Sequence, residues 1–385
     1  MRLKIGIDAR MLRTSRGIGT YLRHLLDEML AHRPAAEFVL YTDRPGIPMI
    51  AEYLAAYKNV KCRCIHVPIY PVWEQFLLPF FASRDAVDVL HCPANAGPLR
   101  GLGRVALVTT IHDVMYLLPD SKMPKSPSAY QRLGRAYLRA VVPGVIRRAT
   151  KVITVSQYSL RDIEDHVPLR PSQPHVIYEA AGSHFRRISV IEAELRLSNL
   201  GVTGKFIFTL GAIDPRKNTR MTIESFAALS IAHPELKLVI SGLDDRCKAL
   251  FRRTAAEFGL GAQVMLLGFV SSEELVALYN LAEVFIYPSM YEGFGLPVIE
   301  AMSCGAPVLA SRSASIPEIA GDAAVLVDPT NVSALTAAMR YLLTDPAVLA
   351  RLRAKGIDHV RQFSWRKMAL ETYAVYEEAF QTSKK

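Results

Sequence analysis

Glu292 and Glu300 stand seven residues apart, with Gly293-Phe-Gly-Leu-Pro297 opening the interval. The apolar run Val284–Tyr287 just ahead predicts a buried strand. Pro297 suits the first turn of a helix, where its missing N–H would have no partner anyway, and Gly305 suits the helix end. Glu292 then lies on the loop leaving a strand and Glu300 one turn into the following helix. Both carboxylates can therefore face one crevice at the carboxyl end of a parallel sheet, where open α/β sheets bind ligands. Gly293 and Gly295 let the backbone come close to a ligand, and the helix N-terminus offers free N–H groups and positive potential to a phosphate. The alternative is a plain strand–turn–helix whose two glutamates are solvated.

Three further constellations carry chemistry. After the run Phe206–Leu210 comes Gly211-Ala-Ile-Asp-Pro-Arg-Lys-Asn218, which places Arg216 and Lys217 on a strand-to-helix loop. Arginine grips phosphate oxygens with a fork of donors and lysine adds a compact charge, so the pair suits a diphosphate; an exposed polar turn is the alternative. Ile111-His112-Asp113 follows a buried run and should open at a sheet's carboxyl edge. Gly17-Ile-Gly19 lies between the first strand and the first helix. It begins like a dinucleotide fingerprint, but Leu22 stands where the third glycine belongs and the loop ahead of Gly17 is too long. That incomplete match argues against a hydride-transferring enzyme.

The elements that must position these residues alternate between apolar runs and helical periods, the mark of parallel α/β domains. Strands are expected at Leu3–Ile7, Phe38–Tyr41, Ile65–Pro68, Val87–His91, Val105–Ile111, Val152–Val155 and Val176–Tyr178. The second half repeats the pattern at Phe206–Leu210, Leu236–Ile240, Val264–Leu267, Val284–Tyr287, Val308–Ala310 and Val325–Val327. In the first helix Tyr21, Leu22, Leu25, Leu26, Met29 and Leu30 share one face. The small residues of Tyr178–Phe185 suggest a linker, and a chain of 385 residues is long enough for two ordinary domains. Trp73, Phe76, Leu77, Phe80 and Phe81 form an aromatic stripe at helical spacing, either core or a surface for acceptor or lipid. Ser126–Ala149 reads as a helix bearing Arg132, Arg135, Arg139, Arg147 and Arg148, a solvated face or a contact with anionic headgroups.

Composition narrows the class. The net charge of +10 sits in one half: residues 1–187 hold 26 Lys+Arg against 15 Asp+Glu, and the remainder holds 20 against 21. A basic half suits a membrane surface or an anionic substrate; no nucleic-acid-binding motif accompanies the arginines. The five cysteines lack C-x-x-C spacing, which points to reduced residues rather than a metal site or a disulfide frame. No apolar run reaches the roughly 20 residues that span a bilayer, and the opening residues read as a strand, not a signal peptide.

Tyr291–Gly305 closely resembles the E-x7-E signature of family-4 retaining glycosyltransferases, and the likeness continues through Ala301–Pro307 and Ser315–Gly321 to cover nearly the whole chain. That family has the GT-B fold, two Rossmann-like, doubly wound parallel-sheet domains facing a central cleft. The resemblance implies an acceptor-binding domain of residues 1–180 plus 365–385 and a nucleotide-sugar-binding domain of residues 181–364. Phe363-Ser-Trp365 matches the place where the family's chain returns to pack on its first domain. By the same resemblance Glu292 contacts the donor sugar, and His112 lies near that sugar as a second catalytic group. Glu300 would take the ribose diol, a task suited to an acceptor-only carboxylate. Gly293, Phe294, Gly295 and Leu296 join Arg216 and Lys217 as donor-binding residues. Gly17 and Gly19 match the glycine loop opposite the donor diphosphate; a helix-entry turn is the other reading. Thr154-Val-Ser156 resembles the family's T-V-S element, a helix cap or a ligand contact. One departure is Ala212, where many members carry arginine; which of Arg216 and Lys217 holds which phosphate stays open.

The opening I-D-A-R, the W-E-Q…L-P segment and the I-H-D look like bacterial mannosyltransferases that build O-antigen or exopolysaccharide. This implies GDP-mannose as co-substrate, no further cofactor, and a polyprenyl-diphosphate-linked glycan as acceptor. The reduced cysteines point to a cytoplasmic protein, and the basic N-terminal domain leaves two readings, a solvated face or a peripheral contact with the inner face of the plasma membrane. The chain contains no D-x-D sequence, so no metal-bridged diphosphate is expected. Alternatives are a UDP-sugar donor, a GT-B sugar-nucleotide 2-epimerase and a non-catalytic nucleotide-sugar-binding protein.

Overall fold

The computed structural model describes residues 2–14, 17–119, 129–168 and 174–384. The chain divides into two compact units, Met1–Glu179 with Ser364–Lys385, and Ala180–Phe363.

In the first unit β1 (Lys4–Asp8), β2 (Glu37–Thr42), β3 (Val60–Cys64), β4 (Val89–Cys92), β5 (Ala106–Ile111), β6 (Lys151–Thr154) and β7 (His175–Val176) form a 7-stranded sheet in the order β3-β2-β1-β4-β5-β6-β7. Every pairing is parallel, with Ile5 between Phe38 and Val89. The order reverses between β1 and β4, so the crevice of this sheet opens at their carboxyl ends. The helix Ile18–His32 buries Tyr21, Leu22, Leu25, Leu26, Met29 and Leu30, the face its periodicity predicts. The helix Trp365–Ser383 is capped by Ser364, whose side chain accepts from the Lys367 N–H, and its Trp365 ring stacks on His24 at 4.6 Å.

The second unit holds β8 (Phe206–Leu210), β9 (Lys237–Ser241), β10 (Val264–Leu266), β11 (Val284–Tyr287), β12 (Val308–Ser311) and β13 (Ala324–Val327) in the order β10-β9-β8-β11-β12-β13, again all parallel. Alternation along the strands feeds two apolar layers. Phe206, Phe208, Phe285, Tyr287 and Val308 pack to one side, and Ile207, Leu238, Ile240, Val284, Ile286 and Leu309 to the other. Burial on both faces explains why these strands read as continuous apolar runs. The topology reverses between β8 and β11.

Two expectations are corrected. Ile65–Pro68 is not a strand; the strand is Val60–Cys64, which ends one residue earlier. As the sheet's edge it is only partly buried and tolerates Lys61 and Arg63, so its sequence lacks the apolar signature of a central strand. The aromatic stripe is also split. A π-helical turn at Trp73–Leu77 inserts an extra residue, so the buried face runs Trp73, Leu78, Ala82 while Phe76 and Phe80 turn outward. The long basic helix is observed over Ala129–Arg148, and the expected start at Ser126 lies outside the described residues. There Arg139 donates to the carbonyls of Tyr116 and Leu118 and so braces a loop.

Candidate functional site

At the reversal point of the second sheet, the loops after β8 and β11 lie side by side. The β8 loop ends in a single 3-10 turn, Pro215–Lys217, capped by Asp214. The Asp214 carboxylate accepts from the Arg216 backbone N–H (3.0 Å) and holds the Arg216 guanidinium. Burial would push that carboxyl up, but Arg216 holds it below the usual carboxylate range. The turn thereby aims Lys217 at the β11 loop. Its Nζ donates to Glu292 Oε1 (2.6 Å) and to the Tyr287 hydroxyl (2.8 Å).

Glu292 Oε1 also receives the hydroxyls of Tyr287 (2.7 Å) and Ser289 (2.5 Å). Three donors thus converge on one oxygen. Burial alone would raise the Glu292 carboxyl; the Lys217 charge first, and then the hydrogen bonds, bring it below its ordinary value. Tyr287 responds in the opposite sense, pushed far up by burial and by Glu292, with Glu300 a further contributor. That shared influence places Glu300 in the same electrostatic neighbourhood. Its carboxylate accepts from the Tyr279 hydroxyl at 3.4 Å, from one turn inside the helix Leu296–Ser303.

The loop's shape is held from outside. The Met290 N–H donates to the Arg216 carbonyl (2.8 Å), which ties the two loops together. The Ser315 hydroxyl lies 3.0 Å from the Glu292 carbonyl and 2.6 Å from that of Phe294. Gly295 caps the helix Leu296–Ser303 with φ of 113°, and a Cβ there would meet Ile316 Cδ1 at 2.7 Å. Only glycine fits both demands. The Phe294 ring is buried edge-on against Phe363, and Leu296 begins the helix, half-buried.

The first unit carries the other candidates. His112 follows β5 directly and is buried. Its backbone N–H donates to Asn95 Oδ1 (2.6 Å), its Nδ1 lies 3.1 Å from Glu179 Oε1 and its Nε2 2.9 Å from the Pro93 carbonyl. Burial opposes the charged ring, yet Glu179 and then the Pro93 carbonyl raise its pKa above the ordinary histidine value. Asp113 accepts from the Met115 N–H. Gly17 enters the helix Ile18–His32 with φ of 52°, and a Cβ on Gly19 would sit 2.0 Å from the Thr14 carbonyl, so Gly19 is required for packing. Ser156 caps the helix Gln157–His166 through the Ser159 N–H.

Lys217, Glu292 and Glu300 are thus brought together in one unit, while His112, Gly17 and Gly19 belong to the other. Tyr287, Ser289, Ser315 and Glu179 were not found from the sequence. Tyr287 and Ser289 had a usable signal, being the first hydroxyls at and beyond a strand end already marked as functional. Glu179 had none beyond its place in a small-residue linker. Among the described residues no group of three or more His, Cys, Asp or Glu is placed to hold a metal.

Residues 15–180 match the family described as Glycosyltransferase Family 4, and residues 191–359 match Glycosyl transferases group 1. The chain is 31% identical to the O-antigen chain mannosyltransferase B of Escherichia coli over 304 residues, 77% of this chain and 76% of that protein. It is 27% identical to the serotype-specific mannosyltransferase WbdA of Escherichia coli over 314 residues, which span 80% of this chain but 37% of that longer protein. In fold it is similar to the sucrose-phosphate synthase of Thermosynechococcus elongatus, with a TM-score of 0.74 at 20% identity, covering 99% of this chain and 100% of the other. Two parallel-sheet units, both family matches and a relative aligned over three quarters of each chain lead to one assignment: the chain belongs to the family-4, group-1 glycosyltransferases and has their GT-B fold.

Proposed function

We propose that this glycosyltransferase moves mannose from GDP-mannose, with retention of configuration, onto a polyprenyl-diphosphate-linked glycan during assembly of a bacterial surface polysaccharide. The observation that carries the reading is the Lys217–Glu292 pair at the reversal point of the second sheet. The names of the relatives support mannose, and the basic N-terminal half suits an anionic, membrane-held acceptor.

In this reading a nucleoside diphosphate replaces Glu292 as the partner of Lys217. The cation, with Arg216 beside it and the backbone N–H groups of Gly293 and Gly295, stabilises the charge that develops on the departing phosphate. Glu292, released from Lys217, accepts from a hydroxyl of the transferred sugar, and Glu300 accepts from the ribose diol. The C1–phosphate oxygen bond breaks while the acceptor oxygen bonds to C1 on the same face. The acceptor's proton passes to the departing phosphate, so atoms and charge balance without a covalent enzyme intermediate. Gly17, Gly19 and His112 are assigned to the sugar and diphosphate from the first unit.

A thermal-shift screen of nucleotide sugars tests the donor. A ligand that prefers the native state stabilises it by about 2.7 kcal/mol at a hundred times its Kd, and GDP-mannose is expected to give the largest shift. A larger shift with a UDP-sugar reassigns the donor. Conversion of the donor alone to an isomerised sugar reassigns the reaction to a 2-epimerase.

A further inference from the structure

Both ring nitrogens of His112 face groups that can only accept. The Pro93 carbonyl, 2.9 Å from Nε2, has no hydrogen to give, so Nε2 carries one. The Glu179 carboxyl group, 3.1 Å from Nδ1, favours a second hydrogen there, and the ring's pKa is raised accordingly. The ring is therefore an imidazolium clamped between a carboxylate and a carbonyl. Its backbone is fixed as well, with the N–H on Asn95 and the carbonyl accepting from the Ser159 hydroxyl at 3.0 Å. The Tyr21 ring, from the helix Ile18–His32, meets the imidazole edge-on at 4.8 Å and 89°.

The charged and titratable groups around the ring are few. Glu179 approaches from the segment after β7, Asp113 is the next residue in the chain, His91 comes from β4 and Tyr21 from the helix. His91 provides an internal control. Its nitrogens meet only hydroxyls, Tyr376 at 2.7 Å and Thr110 at 2.8 Å, and the Tyr21 hydroxyl lies 3.1 Å from that same threonine. Burial first, and then the charge on His112, push His91 down to about 3. Two neighbouring buried histidines are thus driven in opposite directions, and Glu179, followed by the Pro93 carbonyl and Asp113, makes the difference. Groups driven apart in this way mark a division of roles.

We propose that Glu179 is a positioning residue of the transfer reaction: it holds the His112 ring, whose Nε2 donates to the Pro93 carbonyl, in one orientation and supplies its counter-charge. The proposal rests on the reading of His112 as a group near the transferred sugar, and adds the residue through which it is set. Glu179 is the last residue of the first unit before the chain passes to the second, so the clamp is also anchored at that crossing.

The test is a pH titration of the His112 ring by nitrogen-15 NMR, assigned with the variant His112→Asn, in wild type, Glu179→Gln and Glu179→Asp. Wild type is expected to keep both ring hydrogens above about pH 6.5, the ordinary histidine midpoint. Glu179→Gln is expected to lower the midpoint, because the adjacent opposite charge is removed. In the same variant kcat should fall about 100-fold, as expected when a reacting group loses its alignment, with KM for the nucleotide sugar little changed. The alkaline limb of kcat should move down with the ring midpoint, and Glu179→Asp should return it toward wild type. A wild-type ring that is neutral at that pH overturns the proposal, as does a Glu179→Gln pH profile superposed on wild type. The wild-type titration needs no substrate and only the His112→Asn variant for assignment, so it decides the clamp even where the proposed donor proves wrong.

Discussion

Each unit places a carboxylate against a cation beyond the carboxyl ends of its strands, yet the two pairs are built for opposite uses. The side chains of His112 and Glu179 are 10% and 6% exposed, whereas those of Lys217 and Glu292 are 29% and 18% exposed. The first pair is sealed: one ring nitrogen faces the carboxylate and the other a carbonyl. The second keeps a solvent-facing cation whose present partner, Glu292, has two hydroxyls ready to hold it when the lysine leaves. A buried pair broken on one side leaves an uncompensated charge, while a partly solvated pair exchanges partners at small cost. A polar cluster at a strand end becomes a binding site when its charges remain within reach of a solute.

Paired truncations bring out this contrast most strongly. Lys217→Ala should lower transfer by roughly 10² to 10³-fold, the loss seen when one preorganised transition-state donor is removed, while costing only about 1 kcal/mol of stability. Glu179→Ala should reverse the balance of effects on the fold, with about 3 kcal/mol lost in urea unfolding because the imidazolium loses its counter-charge. The sign with pH follows from the raised His112 midpoint. The stabilisation is fullest below about pH 6.5 while Glu179 is ionised, and fades as pH rises through the folded-state value. Equal stability losses in the two variants at neutral pH would erase the distinction drawn between the sites.

Backbone substitutions come next. Gly19→Ala drives a Cβ to within 2.0 Å of the Thr14 carbonyl, and Gly295→Ala strains both φ and the Ile316 contact. Each should cost about 1 to 3 kcal/mol. Gly17 has open space around it but a φ of 52° that strains any other L residue, so Gly17→Ala should cost about 1 to 2 kcal/mol through conformation alone. Thermal unfolding of the three variants ranks them. A Gly17 variant as damaged as the Gly19 one would mean that conformation, not contact, dominates this turn.

What could be read from the chain beforehand follows burial. β8 and β11 were delimited to the residue because strands covered on both faces are uniformly apolar. β3 lies elsewhere because an edge strand need not be apolar, and the aromatic stripe divides between core and surface because a π-turn leaves no trace in a 3.6-residue period. Glu292 and Lys217 were each marked by local pattern, but their contact spans 75 positions and depends on β8 lying beside β11. Glu179 lies 67 positions from His112, and a solitary glutamate in a linker carries no periodicity to betray a buried partner.

Removing one hydroxyl from the Glu292 cluster should give a smaller effect with a clear pH signature. Tyr287→Phe deletes one of three donors to Oε1, so the Glu292 carboxyl should rise toward its ordinary value. A depressed carboxylate contributes stability above its unfolded midpoint near 4.5 and loses it as pH falls through the folded one. The variant should therefore be less stable by about 1 kcal/mol at neutral pH, with the gap closing under acid conditions. The acid limb of transfer should move upward in pH. A gap that persists in strong acid would trace instead to lost packing of the ring.

The smallest effect concerns the outward face of the π-containing helical run. Phe76 and Phe80 are 68% and 56% exposed, whereas Trp73, at the start of the same stripe, is fully buried. Exposed phenyl rings contribute little to folding, so Phe76→Ser and Phe80→Ser should leave stability within about 0.5 kcal/mol of wild type. Arg132, Arg147 and Arg148 on the basic helix are exposed as well. Exposed phenyl rings and exposed arginines are each able to meet an anionic bilayer, each well-placed arginine adding about 1 kcal/mol. Co-sedimentation with vesicles containing anionic lipid, at low and high salt, separates the two contributions. Loss of binding in the phenylalanine variants with folding intact would make these rings a lipid contact, and unchanged binding would leave the arginines alone to account for any attachment.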